Sequence, residues 1–321
     1  MNTMMLYNNE RTVPPSFLKK LAAVFILSLL VQLVFAAAAQ AQRGASIPAE
    51  THYKTLRLLQ DGHFEAAARL CRDELAGGTK IGQQRWIDSI CYYTVLGETE
   101  YITGNPAGAL DHFTSAIDIY LSVPDWITRV EYPTGTRHAA RTVPPWGAGA
   151  RNVALGIFPN DAMIRIGDPI TDERIKQGGM LKSPELRRID PVEIIRCTAL
   201  AMRRRNEILG PLAATDHRSR PIVECFSKRP VSRNHWSSPM LDVMFGIALA
   251  GAGKHEEAID RLGKSLLMEG EYDHFLSSDA LIALGDIYLK GGKAFEATDS
   301  FFEASVSAFA YGNALEVEES L

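Results

Sequence analysis

Glycine recurs in this chain at fixed distances from an alanine and a large apolar residue, three times over. Leu96-Gly97 is followed by Gly104, Ala109 and Phe113; Phe245-Gly246 by Gly253, Ala258 and Leu262; and Leu284-Gly285 by Gly292, Ala297 and Phe301. The second Gly stands seven residues after the first, the Ala five after that, and the large apolar residue four further on. Glycine makes up only about 7% of average sequences, so three sets at identical offsets mark an internal repeat. An ordinary antiparallel helical bundle would show the apolar spacing but has no reason to repeat both glycines and the alanine.

The offsets read as two helices folded against each other. The first Gly and the Ala fall where the helices approach most closely, and the second Gly ends the first helix. In Gly104-Asn105-Pro106, Gly tolerates the left-handed C-cap and Pro suits the first turn of the next helix. Phe113 and Ala116 follow Ala109 on one helical face, with Ser265 and Ala304 in the place of Ala116 in the other sets. A weaker copy comes first: Gly62, Phe64, Ala67 and Cys71 take the turn and second-helix places, but Thr55 stands where the first Gly belongs.

With these offsets the chain resembles the tetratricopeptide repeat (TPR) over residues 49 to 124 and 239 to 311. The usual period is about 34 residues. Ala258 and Ala297 are 39 apart, which implies a lengthened linker around MEGEYDHF. The resemblance implies a mainly α fold, with TPR-like helix-turn-helix repeats in two pairs around an inserted α+β middle region. Proteins of that family bind extended peptides or helices of a partner on a concave surface lined mainly by the first helix of each pair. Carried over residue by residue, this implies partner-binding places at Thr94, Glu98 and Tyr101 in the second copy and Asp279, Ile282, Asp286 and Lys290 in the fourth. The matching places in the third copy, Val243, Ile247 and Ala250, are apolar, which points to a covered face with the middle region as candidate cover. Since 149 residues separate Ala109 from Ala258, the four copies do not form one uninterrupted solenoid in sequence.

Lys19 and Lys20 precede an uncharged apolar run from Leu21 to Ala39, and Ala39-Gln40-Ala41 has the small-x-small form of a secretory cleavage site. The expected organisation is a signal peptide (1–41), a first repeat pair (42–124), a basic α+β insert (125–240) and a second repeat pair (241–321). The form of the signal suggests an exported bacterial protein, periplasmic or secreted. An uncleaved helix spanning the bilayer is the alternative. Export permits up to two bridges among Cys71, Cys91, Cys197 and Cys225, with Cys71 and Cys91 the first pair to test; buried thiols are the other reading.

Charge divides along the same boundaries. Residues 125–240 hold 19 basic against 12 acidic side chains, whereas 241–321 hold 5 against 15. Such asymmetry fits either contact with an anionic partner or docking of the basic middle on the acidic repeats. In the middle, 152–158 and 162–166 flank the turn cluster Pro159-Asn160-Asp161 and predict a hairpin, and Met180-Leu181 begins a further strand. Asp190-Pro191-Val192-Glu193 is a capping box opening a helix to Ile208 or Leu209, after which 211–240 reads as an ordered loop or a flexible return to the second repeat pair.

Local markers of catalysis are missing: there is no H-E-x-x-H, C-x-x-C or G-x-S-x-G. Gly263-Lys264-Ser265 falls inside a helix, unlike a phosphate-binding loop. Cys225 and His235 lack a third group, and Glu271, Asp273 and His274 read as solvated linker residues. Arg203, Arg204 and Arg205 point in three directions on a helix and read as a solvated surface. The tryptophans are scattered and do not interleave with basic residues, so no nucleic-acid partner is expected. No catalytic residue, metal or cofactor is expected. The expected role is a non-catalytic envelope scaffold binding a peptide or helix of another protein, with membrane contact only if the N-terminal segment stays uncleaved. The alternatives are an envelope binder of an anionic polymer or membrane surface through the basic middle, and an enzyme with its site there.

Overall fold

The computed structural model describes residues 46–131, 137–139, 149–151, 154–158, 160–167, 185–228, 230–232, 235–267 and 272–321. The expected signal segment 1–41 and the strand at Met180-Leu181 lie outside the described residues. Four helix hairpins carry the glycine signature: α1 (His52–Gln60) with α2 (Phe64–Gly77), α3 (Asp88–Ile102) with α4 (Pro106–Ser122), α7 (Ser238–Gly251) with α8 (His255–Ser265), and α9 (Ser277–Lys290) with α10 (Ala294–Ala310). Between them lie α5 (Pro191–Leu209) and α6 (Ser219–Ser227), and α11 (Ala314–Ser320) ends the chain. The fold is mainly α and built of TPR-like hairpins.

Each hairpin turns on a left-handed glycine: Gly62, Gly104, Gly253 and Gly292 have φ of 77°, 84°, 76° and 73°. The following N–H then bonds the carbonyl five residues back, from His63 to Leu58, Asn105 to Glu100, Lys254 to Leu249 and Lys293 to Tyr288, each at 2.8–2.9 Å. This closure satisfies carbonyls that the helix end would otherwise orphan. Gly312 repeats it, with φ 71° and Asn313 N–H on Ala308 O at 2.9 Å, and so starts α11. The sequence reading missed this fifth turn because no second helix with the alanine signature follows it.

The other glycine of each set is a matter of space. A Cβ on Gly97 would lie 2.5 Å from the Phe113 ring, on Gly246 2.5 Å from Leu262, and on Gly285 2.5 Å from the Phe301 ring. The large residue of the second helix thus lies directly on the backbone of the first. Ala109, Ala258 and Ala297 are buried beside these contacts. In the first hairpin the equivalent residues are Thr55 and Cys71, so a larger group on one helix is matched by a smaller one on the other, and both are buried. Thr55 Oγ1 donates to Glu74 at 3.2 Å.

Helix α5 begins as its capping box predicts: the Asp190 side chain accepts from Glu193 N–H at 3.1 Å, with Pro191 in the first turn. It packs against α3 and α4 on one side and α7 on the other, and touches α9. Helix α6 packs against α7 and α4. The two repeat pairs are therefore bridged by helices from the middle region. The expected loop over 211–240 is corrected here. A 3-10 turn (Gly210–Thr215) leads into α6, whose Ile222 and Phe226, one turn apart, are buried, with Phe226 stacked on Tyr120 at 4.9 Å. Surrounding Pro, Arg and Ser masked this short amphipathic stripe.

The expected hairpin is also corrected. Strand β5 (Ala154–Ile157) pairs antiparallel with β4 (Arg137–Ala139) and parallel with β8 (Tyr272–Asp273), whereas β6 (Ala162–Ile166) lies antiparallel between β3 (Val130–Glu131) and β7 (Glu185–Ile189). Between β5 and β6, Phe158 turns into the core against Phe275, centroids 5.3 Å apart, and Asp161 reaches Arg188 on β7 at 3.0 Å. The chain so passes from one sheet to the other instead of doubling back. A small hairpin, β1 (Lys80–Ile81) with β2 (Gln84–Arg85), joins α2 to α3.

Candidate functional site

Three consecutive arginines of α5 organise the inner face of the repeats. Successive helical residues diverge by about 100°, so each guanidinium has a main partner of its own, while Arg203 and Arg204 share Glu319. Arg203 Nε donates to Asp279 on α9 at 3.2 Å, and its two terminal nitrogens donate to Glu319 on α11. Arg204 Nε donates to Glu98 on α3 at 2.8 Å, and its Nη1 donates to Glu207 and Glu319, each at 2.9 Å. Arg205 pairs with Asp216 at 2.5 Å. The solvated surface expected of these residues is overturned: they are 4%, 7% and 2% exposed, because neighbouring helices flank α5. Burial pushes the Glu98 and Asp279 carboxyls up, and Arg204 and Arg203 pull them back.

This layer decides where the residues expected to bind a partner lie. Glu98 and Asp279 are committed to it. Thr94 is buried, its hydroxyl donating to Ile90 O at 2.8 Å and Cys197 O at 3.1 Å. Ile282 is buried in a small apolar cluster with Leu281 and Ala304. Tyr101 is half-buried beneath the Arg204 guanidinium, 4.5 Å from its ring centroid, and donates to Glu207. Val243 and Ile247 are buried and Ala250 half-buried, on a helix that α5 packs against. Of the seven, Asp286 and Lys290 line an open concavity.

That concavity, about 460 Å³, lies between α5, α7, α9 and the 3-10 turn after α5. Ile247, Ala250, Ala283 and Ile287 form an apolar floor, with Asp286 and Lys290 at its edge. Neither Asp286 nor Lys290 has an ion-pair or hydrogen-bond partner among the described residues. Burial raises the Asp286 carboxyl, against the pull of Arg203 and Lys290. The arrangement suits a small apolar group with charge beside it. Asp286 and Lys290 are four residues apart on α9, which the repeat register makes legible. Their neighbours from α5 and the 3-10 turn are not, because no repeat signal places α5 there.

Two polar clusters lie away from the groove. Asp273 and His274, expected as solvated linker residues, are 3% and 0% exposed. Asp273 pairs with Arg151 at 2.7 Å and accepts from Ser307 at 3.0 Å, while His274 Nε2 meets Ser265 O at 2.6 Å. Glu271 lies outside the described residues. The second cluster, His52, Cys91, Glu193 and Cys197, brings four metal-ligating side chains together in the core. Sequence spacing gave no sign of it, because its members come from three helices. All four cysteines carry free thiols, and Cys71 donates to Tyr92 O at 3.1 Å instead of meeting Cys91.

No protein-family model matches the chain, and no curated protein matches it. Among solved structures, BtubC (BKLC) from P. vanneervenii is 13% identical, with 80% of this chain and 78% of that one covered at a TM-score of 0.36. A putative kinesin light chain of nearly identical TPR-like repeats from Podosopora anserina is 11% identical, with 82% and 95% covered at 0.34. At overlaps this low, the repeat architecture rests on this chain's own turns and helix contacts.

Proposed function

We propose that this protein is an exported, non-catalytic interaction scaffold of the bacterial cell envelope, which holds a short partner segment in the groove between α5, α7 and α9. The observation that carries the reading is the groove itself: an apolar floor of Ile247, Ala250, Ala283 and Ile287 beside an unpaired carboxylate at Asp286 and an unpaired amine at Lys290. A partner segment with one small apolar side chain on the floor and a cationic group toward Asp286 fits this chemistry, and the net negative charge of 241–321 favours its approach. The anionic-polymer reading is weakened by the fate of the basic middle, since Arg151, Arg196, Arg203, Arg204 and Arg205 all pair with carboxylates of this chain. Export rests on the run from Leu21 to Ala39 and the Ala39-Gln40-Ala41 site, with Gln42 as the new terminus. Among the described residues no helix is long and apolar enough to cross a membrane.

Photo-crosslinking from Ala250 and Ala283 tests the groove, with exposed Arg220 on α6 as control. The expected result is one defined adduct from the groove positions, lost in Asp286→Lys and absent from Arg220. Equal adducts from all three, or capture lost in Arg220→Glu but kept in Asp286→Lys, overturns it. Terminal sequencing of the exported protein checks Gln42.

A further inference from the structure

Four side chains with metal-ligating atoms converge in the core where α1, α3 and α5 meet. His52 is the first residue of α1, Cys91 stands in the first turn of α3, and Glu193 and Cys197 lie one turn apart on α5. Their ligand atoms all lie within 4.8 Å of one another. His52, Cys91 and Cys197 are fully buried and Glu193 nearly so. His52 Nε2 is 2.7 Å from Glu193 Oε1, and Cys197 Sγ donates to the same oxygen at 3.2 Å. His52 Nδ1 is buried without a partner.

We propose that His52, Cys91, Cys197 and Glu193 form a closed structural site for one zinc ion, which ties the first two repeats to α5. Three arguments carry it. The donor set, two thiols, an imidazole and a carboxylate, is the borderline-soft mixture that zinc takes in four-coordinate sites. The size also fits: metal–ligand bonds of about 2.0–2.3 Å put tetrahedral neighbours roughly 3.3–3.8 Å apart, so the 2.7 Å His52–Glu193 contact opens by about 0.6 Å or a little more and a pair at the cluster's 4.8 Å limit closes by about 1 Å or a little more. Lastly, the charges close. Two thiolates and a carboxylate carry three negative charges, and the dication together with Arg196 carries three positive ones. Arg196 already grips Glu193 with two nitrogens, Nε on Oε2 at 2.9 Å and Nη2 on Oε1 at 2.8 Å, which is the outer support that a ligating carboxylate requires.

On binding, the thiol protons of Cys91 and Cys197 leave to solvent as two metal–sulfur bonds form. The imidazole binds through Nε2 and keeps its proton on Nδ1; no electron is transferred. None of the described cavities is lined by these residues, so the site has the closed form of a structural metal and leaves no position for a substrate.

The experiment uses the full chain, reduced and kept free of oxygen, titrated with Co(II) and then with Zn(II). The expected result is one Co(II) per chain, with the visible bands of a tetrahedral cobalt thiolate, displaced by one Zn(II), and a melting temperature that falls when a strong chelator removes the zinc. Cys91→Ser and Cys197→Ser should each weaken the sulfur-to-cobalt band, and the double variant should abolish it. Arg196→Gln, which removes no metal ligand but strips the two guanidinium hydrogen bonds from Glu193, should weaken zinc affinity by about 10- to 100-fold. Wild-type protein that takes up no stoichiometric Co(II), or uptake unchanged in the Cys91→Ser/Cys197→Ser double variant, overturns the proposal. So does a Cys91–Cys197 disulfide that, once reduced, leaves a protein unable to bind the ion. Because the wild-type titration decides by itself, a variant that fails to fold does not shield the proposal.

Discussion

In the α3/α4 and α9/α10 hairpins a glycine of one helix receives a phenylalanine of the other, and the two stand sixteen residues apart. Along α5, Arg203 and Arg204 reach carboxylates 76 to 116 residues away. The hairpins are held by shape, the bridge between them by buried charge. Shape is tolerant in one way: Leu262 serves in the third repeat where Phe113 and Phe301 serve in the others, and Thr55 with Cys71 reverses the sizes. Buried charge is tolerant in another. A pair can be replaced jointly by apolar residues at little cost, whereas removing one member leaves the other stranded without water.

The largest expected effect breaks that bridge. Arg203→Met leaves Asp279, which is fully buried, without its cation, and should lower stability by about 3–5 kcal/mol in urea unfolding. Adding Asp279→Leu should restore most of the loss, since Glu319 keeps Arg204 as its partner. A double variant as unstable as the single would mean that the two residues are not coupled, and the contrast with the hairpins would fall.

The hairpins should respond to volume instead. Gly97→Ala and Gly285→Ala drive a methyl into a phenylalanine ring and should each cost about 1–3 kcal/mol. Phe113→Cys should relieve Gly97→Ala, because in the first hairpin the smaller Cys71 already stands opposite a residue larger than glycine, Thr55. Additive losses in thermal melts would place the ring elsewhere than on the glycine.

This division also explains what the sequence made legible. The hairpins were readable because both partners of each contact lie within one local pattern, and the left-handed turn glycines repeat with it. The capping box at Asp190 was local too, and fixed the start of α5. What α5 packs against was not local. Arg203, Arg204 and Arg205 read as solvated because their carboxylates stand on other helices, and Glu98 and Asp279 read as partner-binding because the repeat register places them on an inner face that α5 fills. Strands β5 and β6 failed as a hairpin for the same reason: their ladders are with strands far along the chain.

A smaller effect reads the bridge through pH. Burial, with the charge of Asp279, raises the Glu316 carboxyl to about 8 against the pull of Arg203. The folded protein therefore holds a proton that the unfolded chain loses near its ordinary value of 4.5, so stability falls as pH rises between those values. Glu316→Gln keeps a partner for the Ser278 hydroxyl and removes the titration. Its unfolding midpoint should fall less than the wild type's between about pH 5 and pH 8. Parallel slopes in the two proteins would assign the pH dependence to other groups.

The smallest effect on stability is expected at the groove, and that smallness is the point. Asp286 and Lys290 sit on the same helix as Asp279, about two and three turns further on, yet neither is committed to the ionic bridge. Asp286→Asn and Lys290→Gln should change stability by no more than about 0.5 kcal/mol, as substitutions away from buried contacts do. Crosslinked capture from Ala250 should nonetheless fall in Asp286→Asn, because the lost charge is the one that a cationic partner group would meet. The pair of measurements separates two kinds of carboxylate on one helix: Asp279, which holds the fold together, and Asp286, which the fold leaves free. A loss of several kcal/mol in Asp286→Asn would move it into the bridge, and the groove would then be a seam of the structure instead of a place for a partner.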